Sequence, residues 1–392
     1  MILRSTLFLC LVAVLTSACG SKSTPATPTS PSSPSTPVTP SVPASTTLAT
    51  LDSPASDDQL TTLRPTLVVK NVTPAAAART YEFQIADRSD FNAPSGSKSA
   101  YYTVNVTKTN VAEGTNTTSV AIDQDLQPAT RFYWRARWTQ GSTTSDWSST
   151  GTFRTQIVGW SQPGELYDPL VNGATVADAR VRRTTFIAGR GLRIEDSDSY
   201  VRYGLKQTIT NGEFSVDIDG LSDHPVSDNP DTGKLKIMSM CDRTTDIYFS
   251  DWLLNVQYRG LNGNPDNAIS FKALFGEDDE DHKLEPDLGT RQASVRHLNP
   301  TSTYLWKATW GNFFRVNVYD GGTSITGVGG TQIYDYGKNT IYTYAPPTHF
   351  AYLGINNSGS ETGSWPGATY RNVWIANKAR PASLGTAMLP LK

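Results

Sequence analysis

The most regular pattern in this 392-residue chain is Tyr304-Leu-Trp-Lys-Ala-Thr-Trp-Gly311-Asn-Phe-Phe-Arg-Val-Asn-Val-Tyr319. In its second half Phe314, Val316 and Val318 alternate with polar residues. Successive side chains of a strand point to opposite faces of the sheet, so this alternation puts the apolar residues on one face. A Gly-Asn pair between two such runs is typical of a tight turn. The stretch therefore predicts two antiparallel strands joined in a hairpin, with one face in a core.

Runs of the same kind recur throughout residues 158–392. The predicted strands of this region are Leu192–Glu195, Tyr200–Gln207, Gly212–Ile218, Lys234–Cys241, Trp252–Arg259, Ala268–Leu274, Ala293–Leu298, Tyr304–Trp310, Phe313–Asp320, His349–Ile355 and Thr369–Ala376. About eleven strands are too many for one immunoglobulin-type sandwich. The region is therefore predicted to be a larger antiparallel jelly roll made of two sheets.

Residues 48–157 form a second module of short strands separated by turns. The predicted strands are Pro65–Val72, Thr80–Ala86, Ser99–Val106, Thr118–Ile122, Phe132–Trp138 and Thr150–Arg154. This spacing is typical of a β-sandwich, and no stretch of useful length has the helical period. The whole chain after its N-terminal segment is therefore expected to be all-β.

Three short motifs near the end of the smaller module resemble the last strands of a fibronectin type III domain. They are Leu126-Gln-Pro128 before the run Phe132–Trp138, then Ser145-Asp-Trp147-Ser148, then Thr152-Phe-Arg-Thr155. The resemblance implies a fibronectin type III-like sandwich that acts as a spacer or an adhesive module. Phe132 stands where that family usually has Tyr at the corner before the strand.

The larger module resembles the concanavalin A-like lectin/glucanase fold, which laminin G-like modules also use. The resemblance rests on Glu213–Ile218, the Trp306–Tyr319 hairpin, Tyr352–Ile355 and Tyr370–Trp374. It implies a sheet face that binds carbohydrate, or that carries the catalytic residues of a polysaccharide lyase or glycoside hydrolase. A fold hosts many functions, so the function must come from the site itself.

The N-terminus has the features of an export signal. Ile2–Leu15 is apolar apart from Arg4, and small residues precede Cys19. Such a segment is too short to span a bilayer. It resembles a bacterial lipoprotein signal, which implies that residues 1–18 are removed and that Cys19 carries the lipid. Gly20 rather than Asp follows, which implies the outer membrane, and we expect the protein to face the cell surface rather than the periplasm. An ordinary secretory signal cut after Ala18 is the alternative.

Residues 19–47 consist mostly of Ser, Thr and Pro and cannot form a core, so they are predicted to be a disordered tether. With Cys10 in the signal and Cys19 lipidated, Cys241 is the one remaining cysteine, which excludes a disulfide framework. Cys241 is expected to be a small buried residue. The formal net charge of −2 gives no overall basic field for nucleic acid.

Several predicted strands of the larger module pair an apolar face with a face of amide, basic and tyrosine side chains. Such groups hydrogen-bond to sugar hydroxyls, and aromatic rings stack on sugars. No acidic residues are predicted on the faces that hold the basic side chains, so the expected ligand is an acidic polysaccharide such as one that contains uronic acid. The ligand-binding candidates are Lys236, Asn255, Gln257, Arg259, Lys272, Arg315, Asn317, Tyr319, Tyr352 and Asn356.

Two other function classes stay open. A lyase needs a proton-transferring Tyr or His, for which His224 and Tyr319 are candidates, whereas the paired carboxylates of a hydrolase are missing from the predicted strands. Contact with another protein is the alternative that the fibronectin-like module supports. The acidic run Glu277, Asp278, Asp279 and Asp281 is expected to be a solvated loop, with a calcium site as the alternative.

Overall fold

The computed structural model describes residues 47–76, 78–91, 105–171, 173–176, 179–223, 233–260, 265–323, 330–356 and 362–388. They belong to one compact unit, Thr46–Lys392. In these residues lie 26 strands and one α-helix, α1 (Leu288–Ala293), so the protein is all-β as the alternating runs predict. None of the helices in this part of the chain is long and apolar enough to cross a membrane.

The first nine strands form a small sandwich of two sheets. They are β1 (Thr50–Ser53), β2 (Asp58–Gln59), β3 (Thr66–Lys70), β4 (Arg79–Ala86), β5 (Asn105–Ala112), β6 (Thr117–Ala121), β7 (Arg131–Gln140), β8 (Thr143–Thr144) and β9 (Gly151–Arg154). One sheet has the order β1-β3-β6, and the other has the order β2-β9-β7-β4-β5 with β8 paired to β7.

The core of the small sandwich is made of large apolar side chains. Leu67, Tyr81, Phe83 and Trp134 are buried in one cluster, which both sheets supply. Burying such large side chains is the main favourable term in folding, at roughly 1.5–3 kcal/mol for each aliphatic or phenyl group. Most of the predicted strand Ser99–Val106 lies outside the described residues.

The larger sandwich contains the other seventeen described strands. They are β10 (Trp160–Gln162), β11 (Glu165–Asp168), β12 (Ala179–Arg182), β13 (Thr184–Ile187), β14 (Gly191–Ile194), β15 (Tyr200–Gly204), β16 (Gly212–Asp219), β17 (Lys234–Cys241), β18 (Trp252–Arg259), β19 (Ala268–Phe275), β20 (Lys283–Leu284), β21 (Thr303–Trp310), β22 (Phe313–Asp320), β23 (Thr331–Asn339), β24 (Phe350–Gly354), β25 (Thr362–Ser364) and β26 (Thr369–Ala376).

These strands form two sheets that share one core. The nine-stranded sheet has the order β10-β11-β26-β16-β21-β22-β23, with β14 joining β13 to β26. The eight-stranded sheet has the order β12-β15-β24-β17-β18-β19-β20, with β25 paired to β17. Phe314 of the first sheet meets Phe271 of the second edge to face, with 5.0 Å between ring centroids. The alternate residues of each strand are left on the outer faces.

Several strand predictions differ from the structure. The short strands β1, β2, β8, β10, β11, β12, β13, β20 and β25 were not predicted. Ala293–Leu298 is not a strand: α1 ends at Ala293, and Val295 makes only an isolated bridge to Ala268. The side chain of Asp287 accepts a hydrogen bond from Thr290 N and so caps this short helix. The nine-residue strand β23 was not predicted, because its half-exposed edge position carries polar residues and a glycine rather than a clear alternation.

The chain after β26 joins the two sandwiches. This segment, residues 377–388, runs over the outer face of the nine-stranded sheet. Its Ser383 accepts a hydrogen bond from Gln127 of the small sandwich at 3.0 Å, and Thr386 accepts one from Arg131 N at 2.9 Å. A small apolar cluster that includes Ala129, Trp374 and Leu384 is buried at the junction. The two sandwiches are therefore held by packed contacts as well as by the chain between them.

Candidate ligand-binding site

A pocket of about 210 Å³ opens on the outer face of the eight-stranded sheet. Alternate residues of the adjacent strands β17, β18 and β19 form its floor, and residues of β20 and of the loop after β17 form its sides. The lining residues are Lys234, Lys236, Ile247, Leu253, Asn255, Gln257, Arg259, Lys272, Lys283, Glu285 and Ile355. Five of the ten predicted ligand-binding residues lie together here.

Strand register explains this convergence. Lys236 of β17 is the cross-strand partner of Gln257, and Lys272 of β19 is the partner of Asn255. Side chains directly opposite one another in an antiparallel pair lie about 4.5–5.5 Å apart at Cβ. Because all three strands are adjacent in the sheet, their polar faces merge into one surface.

A buried chain of hydrogen bonds fixes the pocket floor. Lys236 Nζ donates to Gln257 Oε1 at 2.6 Å, and Asn255 Nδ2 donates to the same oxygen at 3.2 Å. Ser239 Oγ donates to Asn255 Oδ1 at 2.9 Å. These four residues are each at most 9% exposed. A satisfied network of this kind holds its side chains in fixed rotamers, so the floor is preorganised.

The pocket concentrates positive charge. Among its lining residues five are cationic (Lys234, Lys236, Arg259, Lys272 and Lys283), and only Glu285 is acidic. Arg259 Nη1 lies 3.8 Å from Glu285 Oε2, which is too long for a hydrogen bond. Both Nη1 and Nε of Arg259 are buried without a hydrogen-bond partner among the described residues. Arg259 is thus the pocket cation whose buried nitrogens lack acceptors among the described residues, whereas Lys272 and Lys283 are paired with Asp278 and Glu280 at the rim.

The pocket lowers the pKa values of two of its cations, whereas the hydrogen bond to Glu280 raises the pKa of Lys283. Burial lowers the pKa of Lys236 well below its ordinary value, and the neighbouring Lys234, Arg259 and Lys272 add to the effect. Glu285 acts in the opposite direction. Burial also lowers the pKa of Arg259. Both shifts have the same physical origin: a cation has been taken out of water without a close counter-ion.

The expectation that the basic side chains have no acidic neighbours is wrong. Lys272 Nζ lies 2.9 Å from Asp278 at the pocket rim, and Arg315 binds Asp335 with two contacts of 2.6 Å. Asp278 comes from a loop, and Asp335 from the strand β23 that the sequence pattern did not reveal. Both acids therefore lie outside the predicted strands, so the alternation of side chains along those strands could not reveal them.

Three further candidates lie on the other sheet. Arg315, Asn317 and Tyr319 are on the outer face of β22 in the nine-stranded sheet, so they share no hollow with the pocket. Asn317 Nδ2 donates to Asp335 Oδ1 at 2.9 Å, and Lys307 Nζ lies 5.7 Å from the ring centre of Tyr319. The prediction of one common binding face is therefore wrong for these three residues.

The remaining candidates, Tyr352 and Asn356, form hydrogen bonds with the backbone of the loop that follows β17. Tyr352 is fully buried, and its hydroxyl donates to Arg243 O at 3.2 Å. Asn356 Nδ2 donates to Thr244 O at 3.0 Å. The loop, residues 242–251, covers this part of the sheet and packs Ile247 against Cys241 and the ring of Tyr352. Tyr352 is on the expected outer face, but the loop keeps ligands away from it.

Cys241 lies under the same loop and is fully buried, as expected of a small apolar residue. Burial raises the pKa of its thiol to about 12. The thiolate is the reactive form of cysteine, so this residue contributes packing rather than chemistry.

The acidic run has only part of the expected arrangement. Glu277, Asp279 and His282 place ligand atoms within 4.8 Å of one another on an exposed loop, while Asp278 turns to Lys272. Asp279 Oδ1 accepts a hydrogen bond from His282 N at 2.8 Å. Calcium prefers a set of oxygen ligands, so the calcium site at Glu277, Asp278, Asp279 and Asp281 stays a prediction. His224 and Cys19 lie outside the described residues.

Six pocket residues were not predicted as ligand-binding: Lys234, Ile247, Leu253, Lys283, Glu285 and Ile355. Lys234 stands two residues before Lys236, at the start of a predicted strand. Because residues two apart in a strand share a face, the alternation that identified Lys236 also places Lys234 on the outer face. Lys283 and Glu285 lie in and just after the two-residue strand β20, which is too short to leave a pattern. Ile247 reaches the site only through the path of its loop.

Comparisons with known proteins add little to this geometry. No family profile matches the sequence, and no curated protein matches it. Among solved structures, the chain is similar to a crystal structure of the FN1–FN3 domains of chicken CNTN1. The identity is 6% and the TM-score 0.20, over 67% of this chain and 61% of that one. The protein is therefore assigned to the all-β class. This assignment comes from its strand order and burial and not from a similar protein.

Proposed function

We propose that the protein binds an acidic polysaccharide through the pocket on the eight-stranded sheet. The observation that carries this proposal is a pocket lining with five cations and one carboxylate, in which two buried nitrogens of Arg259 have no hydrogen-bond partner among the described residues. Asp278 and Glu280 at the rim pair with Lys272 and Lys283 and leave Lys236 and Arg259 without a hydrogen-bonded carboxylate in the described part of the chain. Removing a charge from water is costly unless a group of opposite charge compensates it. A carboxylate or sulfate on a sugar would supply that compensation.

The other pocket residues suit the rest of a sugar. The amides of Asn255 and Gln257 both donate and accept hydrogen bonds, as sugar hydroxyls require. Pockets for drug-sized ligands measure about 300–1,000 Å³, whereas this one measures about 210 Å³. One acidic sugar unit would therefore occupy the pocket, and the rest of the chain would extend along the open sheet.

The first test replaces Arg259 with alanine. Binding of oligogalacturonate, followed by isothermal titration calorimetry, is expected to weaken about 10- to 100-fold, because a charge-assisted hydrogen bond is worth about 1.5–3 kcal/mol. Arg315→Ala, a change of the same type on the other sheet, is the matched control and should leave affinity unchanged. Raising the salt concentration should weaken binding by the wild type.

Three results would overturn the proposal. They are equal affinity for neutral dextran and oligogalacturonate, equal weakening by both arginine variants, and release of unsaturated product detected by ultraviolet absorbance. The third result would assign the same sheet to a polysaccharide lyase. Running the titration with and without calcium shows whether the loop of Glu277 takes part.

We also propose that the larger sandwich is concanavalin A-like and is held at the bacterial outer-membrane surface by a lipid on Cys19. The sequence Thr16-Ser-Ala-Cys19, the tether and the fibronectin-like spacer support this placement. In a bacterial host, Cys19→Ala should move the protein from the detergent-extracted membrane fraction to the soluble fraction, whereas Cys241→Ala should not. If the Cys19→Ala variant stays in the membrane fraction, the proposal that a lipid on Cys19 anchors the protein is contradicted.

A further inference from the structure

Lys236 occupies an unusual position for a lysine. Lys236 is 9% exposed and stands at the start of a β-bulge that ends at Met238. Its amino group donates a hydrogen bond to Gln257 at the pocket floor. Within the part of the chain that the structure describes, no carboxylate lies within ion-pair distance of it. Lys236 is therefore the cation that gains most from an anion in the pocket.

The charged groups around Lys236 come from every strand of the pocket. Lys234 lies on its own strand β17, Arg259 on β18, Lys272 on β19 and Lys283 on β20, and Glu285 follows β20. Arg291 of α1 adds a further cation, 3.8 Å from Glu285. The side of the pocket formed by Ile247 and Ile355 brings no charge. Two further acids lie at the rim, where Asp278 pairs with Lys272 and Glu280 pairs with Lys283. The cations around Lys236 therefore outnumber the acids, and none of these acids pairs with Lys236 itself.

We propose that the acidic group of the ligand sits between Lys236, Arg259 and Lys272, and that its binding is accompanied by uptake of a proton at Nζ of Lys236. This inference rests on the proposed function, since it concerns the same pocket and the same acidic ligand. It makes Lys236 the residue that couples ligand capture to pH. Lower pH favours the bound state.

The sign follows from linkage. Burial and neighbouring cations lower the pKa of Lys236 in the free protein, and an anion in the pocket raises it again by favouring the charged form. Between these two pKa values the complex holds more protons than the free components, so affinity falls as pH rises, by up to about tenfold per pH unit. Below the lower value and above the higher value, proton uptake disappears.

The test is isothermal titration calorimetry of the wild-type protein with oligogalacturonate in buffers of different ionisation enthalpy, from about pH 6 to about pH 10. The dependence of the observed enthalpy on the buffer gives the number of protons taken up per ligand. We expect a maximum of about one proton within this range, with affinity rising as pH falls across it. The carboxylates of the ligand titrate well below pH 6 and do not contribute.

Two outcomes separate this inference from the proposed function. Failure of oligogalacturonate to bind at any pH overturns the proposed function and the inference with it, whereas tight binding without proton uptake overturns the inference alone. Lys236→Arg keeps the charge but cannot titrate in this range, so it should bind without proton uptake. Lys307→Gln, on the other sheet, should keep the wild-type uptake. The wild-type titration remains decisive should Lys236→Arg fail to fold.

Discussion

Lys236→Met is expected to raise the free energy of unfolding of the ligand-free protein by about 1–3 kcal/mol, while removing most of its affinity for an acidic glycan. Methionine has a similar length and needs no counter-ion. The oxygen of Gln257 that Lys236 contacts still accepts a hydrogen bond from Asn255 at 3.2 Å. The substitution therefore removes the unfavourable burial of a cation without leaving that oxygen unsatisfied.

The stabilisation should depend on pH in a defined direction. The pKa of Lys236 is lower in the folded protein than its ordinary value of 10.5. The unfolded chain then holds more protons, so the penalty that Lys236 imposes is largest at low pH and vanishes as pH rises toward 10.5. Urea unfolding at two pH values, about 6 and about 10, measures this difference.

The matched control for this prediction is Lys70→Met in the small sandwich. The side chain of Lys70 is 64% exposed, so its replacement should change stability by less than about 0.5 kcal/mol at either pH. A Lys236→Met variant that is less stable than the wild type at pH 6 would show that the amino group is well solvated or neutralised. That result would also remove the electrostatic basis of the proposed site.

Arg380→Ala is expected to cost about 3–5 kcal/mol of folding free energy, because it leaves the carboxylate of Asp217 buried without its cation. Nη1 and Nη2 of Arg380 each lie 3.1 Å from one oxygen of Asp217, and both side chains are at most 2% exposed. Nη2 also donates to Leu384 O at 3.3 Å. The arginine therefore fastens the segment 377–388 to the outer face of the nine-stranded sheet.

Chemical denaturation of Arg380→Ala, Asp217→Asn and the double variant tests this contact. The double variant should lose much less than the sum of the two single losses, since the groups act as a pair. Arg183→Ala is the control: Arg183 is 56% exposed and contacts Asp196 at 3.2 Å, and exposed pairs contribute about 0–1 kcal/mol. A loss below about 1 kcal/mol for Arg380→Ala contradicts a buried, unsolvated pair.

The candidate site shows what can be predicted from the alternation of side chains along a single strand. Asn255, Gln257 and Arg259 share the outer face of β18 because side chains alternate every residue, and that period is written in the sequence. Lys236 and Lys272 were found in the same way. Each of these predictions concerns one strand and its two faces, and each needs no knowledge of which strand lies beside it.

The local sequence pattern is enough to predict the all-β class, most of the long strands and the polar face of each strand, because these properties depend on neighbours one or two residues apart. The adjacency of β17, β18 and β19 became known from the folded structure, as did the place of β22 in the opposite sheet, which separates Arg315 from Arg259. The folded structure also placed Asp278, Glu285 and the loop over Tyr352. Those contacts join residues far apart in the chain, and their free energy depends on packing and loop paths that no local period encodes.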